Sequence, residues 1–388
     1  MNTKLLPFGL PEPAGGRPDL LVVAGEHSGD QHAATMVREL RAKRPGIQVA
    51  ALGGPELEAA GAQLLHDMTA SSVVGLVEVL KNYSFFKELF DETLRWIETH
   101  RPRAICFVDY PGLNLRLAAA LHERGLSRKG GGEIPLLFYI SPQIWAWKAK
   151  RRFTMARHLD ALAVIFPFEV ECYADTDLPA EFVGHPFVAD AHAPPVSYDP
   201  AGPVLLLPGS RKQAVARIFP VVLRGYEAAK TDRPAVVLYP SRAIREVLES
   251  IGVPANVSLR PTGEPVAASA VLTSSGTMSM HCALAGIPGV VVYRANPLTY
   301  VLGRWLLKVP YLGIANLLLK EAMYPEYIQG AAKPAVLGRE LNLCLRDGRR
   351  REKTAEQAAR LGEMLKIPAR GTVADWVLRQ VPVMPLNP

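Results

Sequence analysis

The stretch DLLVVAGEHSGD, residues 19–30, begins with a continuous apolar run and ends in a polar turn. Continuous apolar runs are typical of strands that are covered on both faces, so residues 19–24 are predicted to form the first strand of a parallel sheet. The turn GEHSGD leads into a helix predicted over residues 31–44, which Asp30 could cap. A buried strand, a polar turn and a helix in this order indicate a βαβ unit.

The same alternation of apolar runs and helical segments recurs along the chain. Further strands are predicted at 47–52, 104–108, 136–140, 161–165, 204–207, 235–239, 270–272 and 290–293, and helices at 83–100, 113–125, from about 212, and at 241–251. The stretch ADAHAPPVSYDPAGP (189–203) is rich in proline and poor in apolar residues, which is typical of a linker. The sequence therefore predicts an α/β protein of two doubly wound parallel-sheet domains that face a cleft.

Composition limits the partners and the compartment. Lysine and arginine (44) exceed aspartate and glutamate (37), which indicates an anionic partner such as an acidic membrane surface or a phosphorylated substrate. Nucleic acid is not predicted, because no long basic block or basic-aromatic repeat occurs. The four cysteines form no C-x-x-C pair, which fits free thiols in the cytosol. No apolar run reaches the roughly 18 residues of a membrane span, so we expect a soluble or membrane-surface protein.

Two polar turns in the second half have the pattern of anion-binding sites, LLLPGSRK (205–212) and TSSGTMSM (273–280). Each follows a predicted strand and precedes a helix, whose first backbone N–H groups favour an anion. The residues that would bind it are Gly209, Ser210, Arg211, Ser275, Gly276 and Thr277. The alternative is an ordinary pair of turns, but together they could hold both phosphates of a nucleoside diphosphate. Neither turn matches the P-loop or the G-x-G-x-x-G motif.

Carboxylates follow two predicted strands of the first half. Glu26 and Asp30 lie in GEHSGD, and Asp109 lies in ICFVDYPGLN. A carboxylate at the carboxyl end of a strand, facing a cleft, could serve as a general base. The alternative for each of them is a turn or helix-cap role. The triplet DTD (175–177) resembles a metal-binding pattern of some glycosyltransferases, but no strand leads into it, and no metal site is predicted.

Two stretches of the first half combine apolar or aromatic side chains with a polar context, TASSVVGLVEVLKNYSFF (69–86) and SPQIWAWKAKRRF (141–153). The second contains two tryptophans followed by four cations: Trp145, Trp147, Lys148, Lys150, Arg151 and Arg152. Aromatic rings beside cations are typical of surfaces that bind anionic lipid. The alternative is a helix start whose tryptophans enter the core while the cations face water.

Taken together, these segments resemble the lipid-A-disaccharide synthase family. The matching stretches follow the family's order from about residue 20 to 335 and are VVAGEHSGD, GGPELEAAG, VVGLVEVL, VDYPGLN, YISPQIWAWKAKR, IFPFEVECY, FVGHPF, LLPGSR, SSGT, YRANPLTY and ANLLLKE…PEYIQ. The resemblance implies a GT-B fold. Residues 1–190, joined by a C-terminal helix at about 366–388, would form the acceptor and membrane-associated domain, and residues 200–365 the UDP-sugar domain.

The resemblance also implies the reaction. UDP-2,3-diacylglucosamine would donate its sugar to the 6-hydroxyl of 2,3-diacylglucosamine 1-phosphate, releasing UDP and forming a β-1,6 disaccharide with inversion in one displacement. No cofactor or metal would be needed. The protein would be cytoplasmic and bound peripherally to the anionic inner leaflet of the inner membrane, and the family allows a homodimer formed through the C-terminal part.

Residue roles follow from the same resemblance. Asp109 would be the base, and Arg211 and Ser210, with the N–H groups of Gly276 and Thr277, would stabilise the departing UDP. The implied UDP-sugar pocket residues are Tyr293, Asn316, Glu321 and Gln329, and those on the acceptor side are Ser28, Gly29 and Asp30. The implied contacts to the membrane or to the acceptor phosphate are Trp145, Trp147, Lys148, Arg151 and Arg152.

Two positions depart from the family pattern. His281 stands where the family has a glutamate that grips the nucleotide ribose, and Ala214 stands where a glutamate is frequent. A carboxylate accepts hydrogen bonds from two hydroxyls, whereas a neutral imidazole accepts only one. Two alternatives therefore stay open: another UDP-N-acetylglucosamine-dependent GT-B enzyme, either a transferase or a 2-epimerase, and a non-catalytic relative that binds nucleotide or lipid.

Overall fold

The structure, a computed structural model, describes residues 9–69, 83–186, 194–295 and 310–381. The chain divides into two compact units, the first comprising Met1–Pro186 and Ile367–Pro388 and the second Phe187–Lys366. Most of the apolar stretch 69–86 and part of the predicted linker 189–203 lie outside the described residues. Among the described helices, none combines the length and the apolar content that crossing a bilayer requires.

The first unit is built on a seven-stranded sheet. Its elements are β1 Leu20–Ala24, α1 His27–Lys43, β2 Val49–Gly53, α2 Pro55–Ala59, β3 Gln63–Asp67, α3 Tyr83–His100, β4 Ile105–Val108, α4 Pro111–Glu123, β5 Leu136–Tyr139, α5 Arg151–His158, β6 Ala161–Val164 and β7 Ala180–Phe182. All strands are parallel, in the order β3-β2-β1-β4-β5-β6-β7.

The second unit contains a six-stranded parallel sheet. Its elements are β8 Val196–Tyr198, β9 Val204–Leu207, α6 Lys212–Ala229, β10 Ala235–Tyr239, α7 Arg242–Ile251, β11 Val257–Pro261, β12 Val266–Ala268, β13 Ala270–Thr273, α8 Thr277–Leu284, β14 Gly289–Tyr293, α9 Ile314–Leu319, β15 Glu326–Ile328, α10 Pro334–Arg346 and α11 Gly348–Leu365. The order of the large sheet is β11-β10-β9-β13-β14-β15, and β12 pairs with β8 in a separate two-stranded sheet.

Strand β1 is buried on both faces, as its apolar run predicts. Leu20 and Val22 pack into the core that contains α1, whereas Leu21 and Val23 pack into the core on the opposite face. The last helix, α12 (Val373–Gln380), joins the first of these cores through the buried Trp376. The predicted α/β fold of two parallel sheets is therefore confirmed.

The strands that the sequence did not predict lie either at the edges of the two large sheets or in the small sheet. They are β3, β7, β8, β11, β12 and β15. Four of them are the edges of the two large sheets, and the other two form the small sheet. An edge strand is only partly covered, so its sequence lacks the continuous apolar run that marks a central strand.

The start of α1 also differs from the prediction. The helix begins at His27 rather than at residue 31, so Asp30 lies inside its first turn and does not cap it. The fully buried carboxylate of Asp30 instead accepts backbone N–H groups at the start of α2, from Gly54 (2.8 Å), Glu56 (3.0 Å) and Leu57 (3.2 Å). Asp30 is thus the cap of a different helix.

Helices α6 and α10 of the second unit pack unusually closely. A Cβ atom on Gly225 would lie 2.7 Å from the Cβ of Leu337, and one on Gly338 would lie 2.7 Å from the backbone carbon of Ala228. Both distances are too short for a real contact, so glycine is required at this helix crossing.

We expect Gly338→Ala to lower the free energy of unfolding by about 1–3 kcal/mol, because the added methyl group meets backbone that cannot move aside. Urea denaturation of the purified protein measures this change. Gly362→Ala in α11 is the matched control: nothing lies within 4 Å of the added methyl group, so helix propensity should stabilise the protein by up to about 1 kcal/mol. Equal stability of Gly338→Ala and the wild type would contradict the packing argument.

Candidate functional site

The two predicted anion-binding turns lie side by side in the second unit. They follow β9 and β13, which are neighbours in the sheet with Leu207 paired to Thr273. The N–H of Ser274 donates to the carbonyl of Leu207 (2.7 Å). Gly209 has a φ of +113°, and a Cβ atom there would lie 3.3 Å from the hydroxyl of Ser274. Glycine therefore allows the first turn to approach the second.

Each turn ends at the start of a helix. Arg211 is the N-cap of α6, and Gly276 is the N-cap of α8. Ser210, Arg211 and Thr277 are exposed, and no atom lies within 4 Å of the position that a Cβ on Gly276 would take. Two adjacent helix N-termini and a guanidinium form a positive region that suits two neighbouring phosphates.

The predicted contact between the N–H of Gly276 and a phosphate requires this N–H to change its hydrogen-bond partner. The N–H of Gly276 donates to the hydroxyl of Ser279 (3.3 Å), and the same hydroxyl donates to the carbonyl of Gly276 (2.6 Å). For the N–H of Gly276 to reach a phosphate, this long bond to Ser279 must give way. The N–H of Thr277, one residue further, belongs to the same exposed helix start.

A carboxylate that the sequence analysis missed supports the second turn. Glu326, the first residue of β15, accepts the N–H groups of Leu312 (2.8 Å) and Gly313 (2.9 Å) and the amide of Asn316 (2.8 Å). The hydroxyl of Ser275 donates in turn to the carbonyl of Leu312 (2.8 Å). Glu326 therefore holds the segment against which Ser275 is fixed.

Asn316, predicted to line the donor pocket, has a supporting position. Its side chain is 1% exposed, and its amide nitrogen donates to the carbonyl of Tyr324 (2.7 Å) as well as to Glu326. Its amide oxygen accepts the N–H groups of Met323 (2.9 Å) and Tyr324 (3.0 Å). The amide of Asn316 is thus fully used within the protein, where it supports Glu326 and the backbone at Met323 and Tyr324.

The other residues predicted for the donor pocket lie on separate elements. Tyr293 ends β14 and is half-buried, while the amide of Gln329 binds both backbone groups of Ala295, at 3.3 and 3.1 Å. Glu321 forms an ion pair with Arg360 (2.6 Å). The neighbouring side chains of Gln357 and Arg360 lower the pKa of Glu321, so this acid is ionised at neutral pH.

The two positions that depart from the family pattern both face inward. His281 lies in α8 and is 8% exposed, and Ala214, in the first turn of α6, packs against the core of the second unit. His281 is therefore a buried side chain close to the turn that ends at Gly276.

In the first unit, the sheet brings two predicted turns together. The GEHSGD turn follows β1 and Asp109 follows β4, and these strands are neighbours. A Cβ atom on Gly29 would lie 3.5 Å from the carbonyl of Val108, and one on Gly25 would lie 2.1 Å from the ring of Tyr110. Ser28 and Gly29, in the first turn of α1, thus lie beside the backbone corner at Asp109 and Tyr110.

The backbone at Asp109 is strained. Asp109 and Tyr110 have φ angles of +49° and +47°, in the left-handed region that residues other than glycine rarely adopt. The corner is held by the N–H of Asp109, which donates to the carbonyl of Tyr139 (2.9 Å), and by the amide of Asn114, which donates to the carbonyl of Asp109 (2.7 Å). Such strain is concentrated at functional sites.

The aromatic and basic residues 145–153, here called the basic aromatic segment, lie before and within the first turn of α5. Trp145 is half-buried, but Trp147 is 37% and Phe153 48% exposed. The interpretation that both tryptophans enter the core is therefore wrong for Trp147. The Lys148 ammonium and the Arg151 guanidinium lie 4.6 and 5.3 Å from its ring centre.

Arg152 differs from the other cations of the basic aromatic segment. Its guanidinium binds both carboxylate oxygens of Asp175, at 2.6 and 2.5 Å, so its charge is balanced within the protein. Asp177 pairs with Lys129 (3.1 Å). Both aspartates of the DTD triplet thus have cationic partners, and the described residues contain no group of three side chains able to hold a metal.

Comparisons with known proteins agree on one family and one fold. The family model described as lipid-A-disaccharide synthetase matches residues 20–370. The lipid-A-disaccharide synthase of Nitrosococcus oceani is 34% identical over 375 residues, covering 92% of this chain and 95% of the relative. That of Geobacter metallireducens is 34% identical over 364 residues, covering 89% and 92%.

Two solved structures show the fold. The UDP-GlcNAc 2-epimerase of Neisseria meningitidis bound to UDP-GlcNAc matches with a TM-score of 0.57 at 13% identity, covering 93% of this chain and 99% of the other. The calicheamicin glycosyltransferase CalG4 matches with a TM-score of 0.55 at 16% identity, covering 94% and 98%. The predicted GT-B fold is confirmed.

We expect Glu326→Ala to lower the free energy of unfolding by about 1–3 kcal/mol, because three part-buried donors lose their acceptor. Glu326→Gln keeps one acceptor oxygen and should lose less. Urea denaturation ranks the variants. Glu321→Gln, which weakens the exposed pair with Arg360, should change stability by less than about 1 kcal/mol. An alanine variant as stable as the wild type would remove Glu326 from the support of the second turn.

Proposed function

The chain belongs to the lipid-A-disaccharide synthase family, and from this membership we propose the substrates and the mechanism of its glycosyl transfer. The protein is a glycosyltransferase that forms a lipid A disaccharide. Its proposed donor is UDP-2,3-diacylglucosamine, and its proposed acceptor is 2,3-diacylglucosamine 1-phosphate. The second unit binds the donor and the first unit binds the acceptor.

The observation that carries the proposal is the contact between the two turns of the second unit, where Gly209 approaches Ser274. Two phosphates joined by one bridging oxygen need two anion sites in close contact, and α6 and α8 begin next to each other after neighbouring strands. Arg211 adds a side chain that can bind phosphate oxygens in a bidentate manner.

In the proposed reaction Asp109 removes the proton from the 6-hydroxyl of the acceptor. The resulting nucleophile attacks the anomeric carbon of the donor in line with the departing diphosphate, which converts the α bond into a β bond in one displacement. The bond from carbon to the UDP oxygen breaks, and UDP leaves as an anion. The strained corner at Asp109 and Tyr110 supports this role, since such strain fixes a side chain in a defined orientation.

Charge that develops on UDP is stabilised by Arg211, Ser210 and the helix starts at Gly276 and Thr277. Fixed dipoles and cations of this kind are frequently the largest contribution to catalysis. We propose that these groups replace a divalent metal at the diphosphate. Ser28 and Gly29, at the start of α1 beside Asp109, bind the acceptor, and Tyr293 and Gln329 contact the donor.

The basic aromatic segment provides the proposed membrane contact. Trp147 and Phe153 are exposed apolar rings, and Lys148, Lys150 and Arg151 are the cations beside them. This combination suits the anionic inner leaflet or the 1-phosphate of the acceptor. The protein is accordingly proposed to act in the cytoplasm at the inner membrane, as a homodimer formed through its C-terminal part.

We expect Asp109→Asn to lower kcat by roughly 10²–10⁴-fold with the KM of both substrates changed only a few-fold, because the amide keeps the shape but cannot take a proton. Mass spectrometry of the product formed from the two acylated substrates measures the rate and identifies the disaccharide. UDP-N-acetylglucosamine without acyl chains serves as the alternative donor.

Four outcomes of this assay would each contradict a part of the proposal. Wild-type rates in Asp109→Asn would exclude Asp109 as the base. Preference for the unacylated donor, or its epimerisation, would point to a different GT-B activity. Binding of UDP without any disaccharide would indicate a non-catalytic relative. EDTA in the same assay should leave the rate unchanged, and a loss that Mg²⁺ restores would overturn the metal-independent proposal.

We expect replacement of Lys148, Lys150 and Arg151 by serine to weaken binding to phosphatidylserine-containing vesicles by on the order of 100-fold, at about 1 kcal/mol per cation. Vesicle sedimentation at low and high salt measures the change, which should vanish at high salt. The control removes three exposed cations of the second unit, Arg346, Arg349 and Lys353. An equal effect of both triple variants would show that net charge, not this segment, determines binding.

A further inference from the structure

A buried acid of the first unit connects the basic aromatic segment to the rest of the fold. Glu169 lies in the 3-10 turn Pro167–Glu169 after β6 and is 1% exposed. One carboxylate oxygen accepts the indole N–H of Trp145 (3.1 Å), and the other accepts the backbone N–H of Phe166 (3.2 Å). Glu169 thus ties the loop after β5 to the turn after β6.

Aromatic rings surround this carboxylate. The ring of Trp145 meets that of Phe168 edge to face at 5.4 Å, and Phe166 stacks on Phe168 at 5.8 Å. Burial raises the pKa of Glu169 to about 7, although the hydrogen bonds from Trp145 and Phe166 act in the opposite direction. The acid therefore exchanges its proton near neutral pH.

The titratable neighbours come from three elements. Tyr173 and Cys172 belong to the turn Glu171–Tyr173, and burial raises the pKa of both, so both are neutral near pH 7. His185 lies with its ring 5.1 Å from that of Phe166. Arg151, from α5, faces Tyr173 and opposes the rise of its pKa, and Arg152 and Glu171 act on Cys172 in opposite directions.

Protonation changes what Glu169 can hold. The carboxylate accepts strongly with both oxygens, whereas in the protonated acid one oxygen carries a proton and accepts only weakly, so one of its two N–H partners is held less firmly. The Trp145 indole is the side-chain partner and the more easily released one, because Phe166 is fixed by the backbone of the same turn. Trp147 and its cations follow Trp145 by two residues.

We propose that the ionised carboxylate of Glu169 is a positioning residue that holds Trp145 in place and thereby presents the basic aromatic segment to an anionic lipid surface. Loss of the proton strengthens this contact and gain of the proton weakens it. The inference rests on the proposed membrane contact and is independent of the glycosyl-transfer step.

The test is vesicle binding of the full chain across about pH 5.5 to 8.5, with phosphatidylserine and phosphatidylcholine vesicles. Loss of one hydrogen bond to a charged group predicts a wild-type affinity roughly tenfold higher at the alkaline end, with a midpoint near 7. Glu169→Gln should bind with the same weak affinity at every pH. The control Glu171→Gln removes an exposed acid two residues away and should keep the wild-type profile.

Tryptophan emission without vesicles gives a second readout. The wild type should change emission with the same midpoint, and Glu169→Gln should not. Trp145→Phe keeps the carboxylate but removes the donor, so its vesicle affinity at high pH should fall to that of Glu169→Gln. A pH-independent wild-type emission, or a wild-type profile retained in Trp145→Phe, would overturn the proposal. Disaccharide synthesis is measured in a separate assay. If that assay shows no glycosyl transfer, the vesicle and emission measurements still decide whether Glu169 positions Trp145.

Discussion

The reversal of strand order in each sheet is the constraint on which the proposed chemistry depends. In the first unit, β1 lies between β2 and β4, and in the second unit, β9 lies between β10 and β13. The connections that follow the two neighbouring strands, β1 and β4 or β9 and β13, run in opposite directions, which leaves a crevice at the carboxyl ends of the pair. The GEHSGD turn and the Asp109 corner meet at one opening, and the two anion-binding turns meet at the other.

The buried strands of the sheet stabilise the strained turn at Asp109 and Tyr110. Left-handed backbone at Asp109 and Tyr110 costs about 1–3 kcal/mol for each residue. This cost is offset by fully buried strands on both sides, by Pro111 at the start of α4, whose fixed φ suits a helix, and by the hydrogen bonds of Asn114. The turn keeps its conformation because its supports are buried, and substrate binding does not have to create it.

The sequence predicts the central strands and the turns that follow them, because both leave local signals. Continuous apolar runs mark β1, β4, β5, β9 and β13, and glycine with serine marks the turns. Edge strands such as β7, with the half-buried residues Ala180–Phe182, lack that signal. The partners of polar side chains cannot be predicted from local sequence either, since the contact between Trp145 and Glu169 joins residues 24 positions apart. The family resemblance is confirmed by the comparisons, but the supporting role of Glu326 required the structure.

Three buried or half-buried acids hold the loops at the carboxyl edges of the sheets, and they do so through N–H donors: Asp30, Glu169 and Glu326. Charge-assisted bonds of this kind are strong in a low-dielectric surrounding, but the ionised form is itself costly to bury. Burial accordingly raises the pKa of Asp30 and of Glu169.

The contribution of Glu169 to stability and its hydrogen bonds to the loop depend on pH in opposite ways. A raised pKa means that the folded state holds the proton more tightly than the unfolded state, so the contribution of Glu169 to stability is complete below about pH 4.5 and is lost as the pH rises to about 7. Only the ionised form, however, accepts the N–H groups of Trp145 and Phe166 strongly with both oxygens. At neutral pH ionised Glu169 therefore lowers the stability of the fold while it keeps this loop ordered. Such a loss of stability is expected where a loop serves binding.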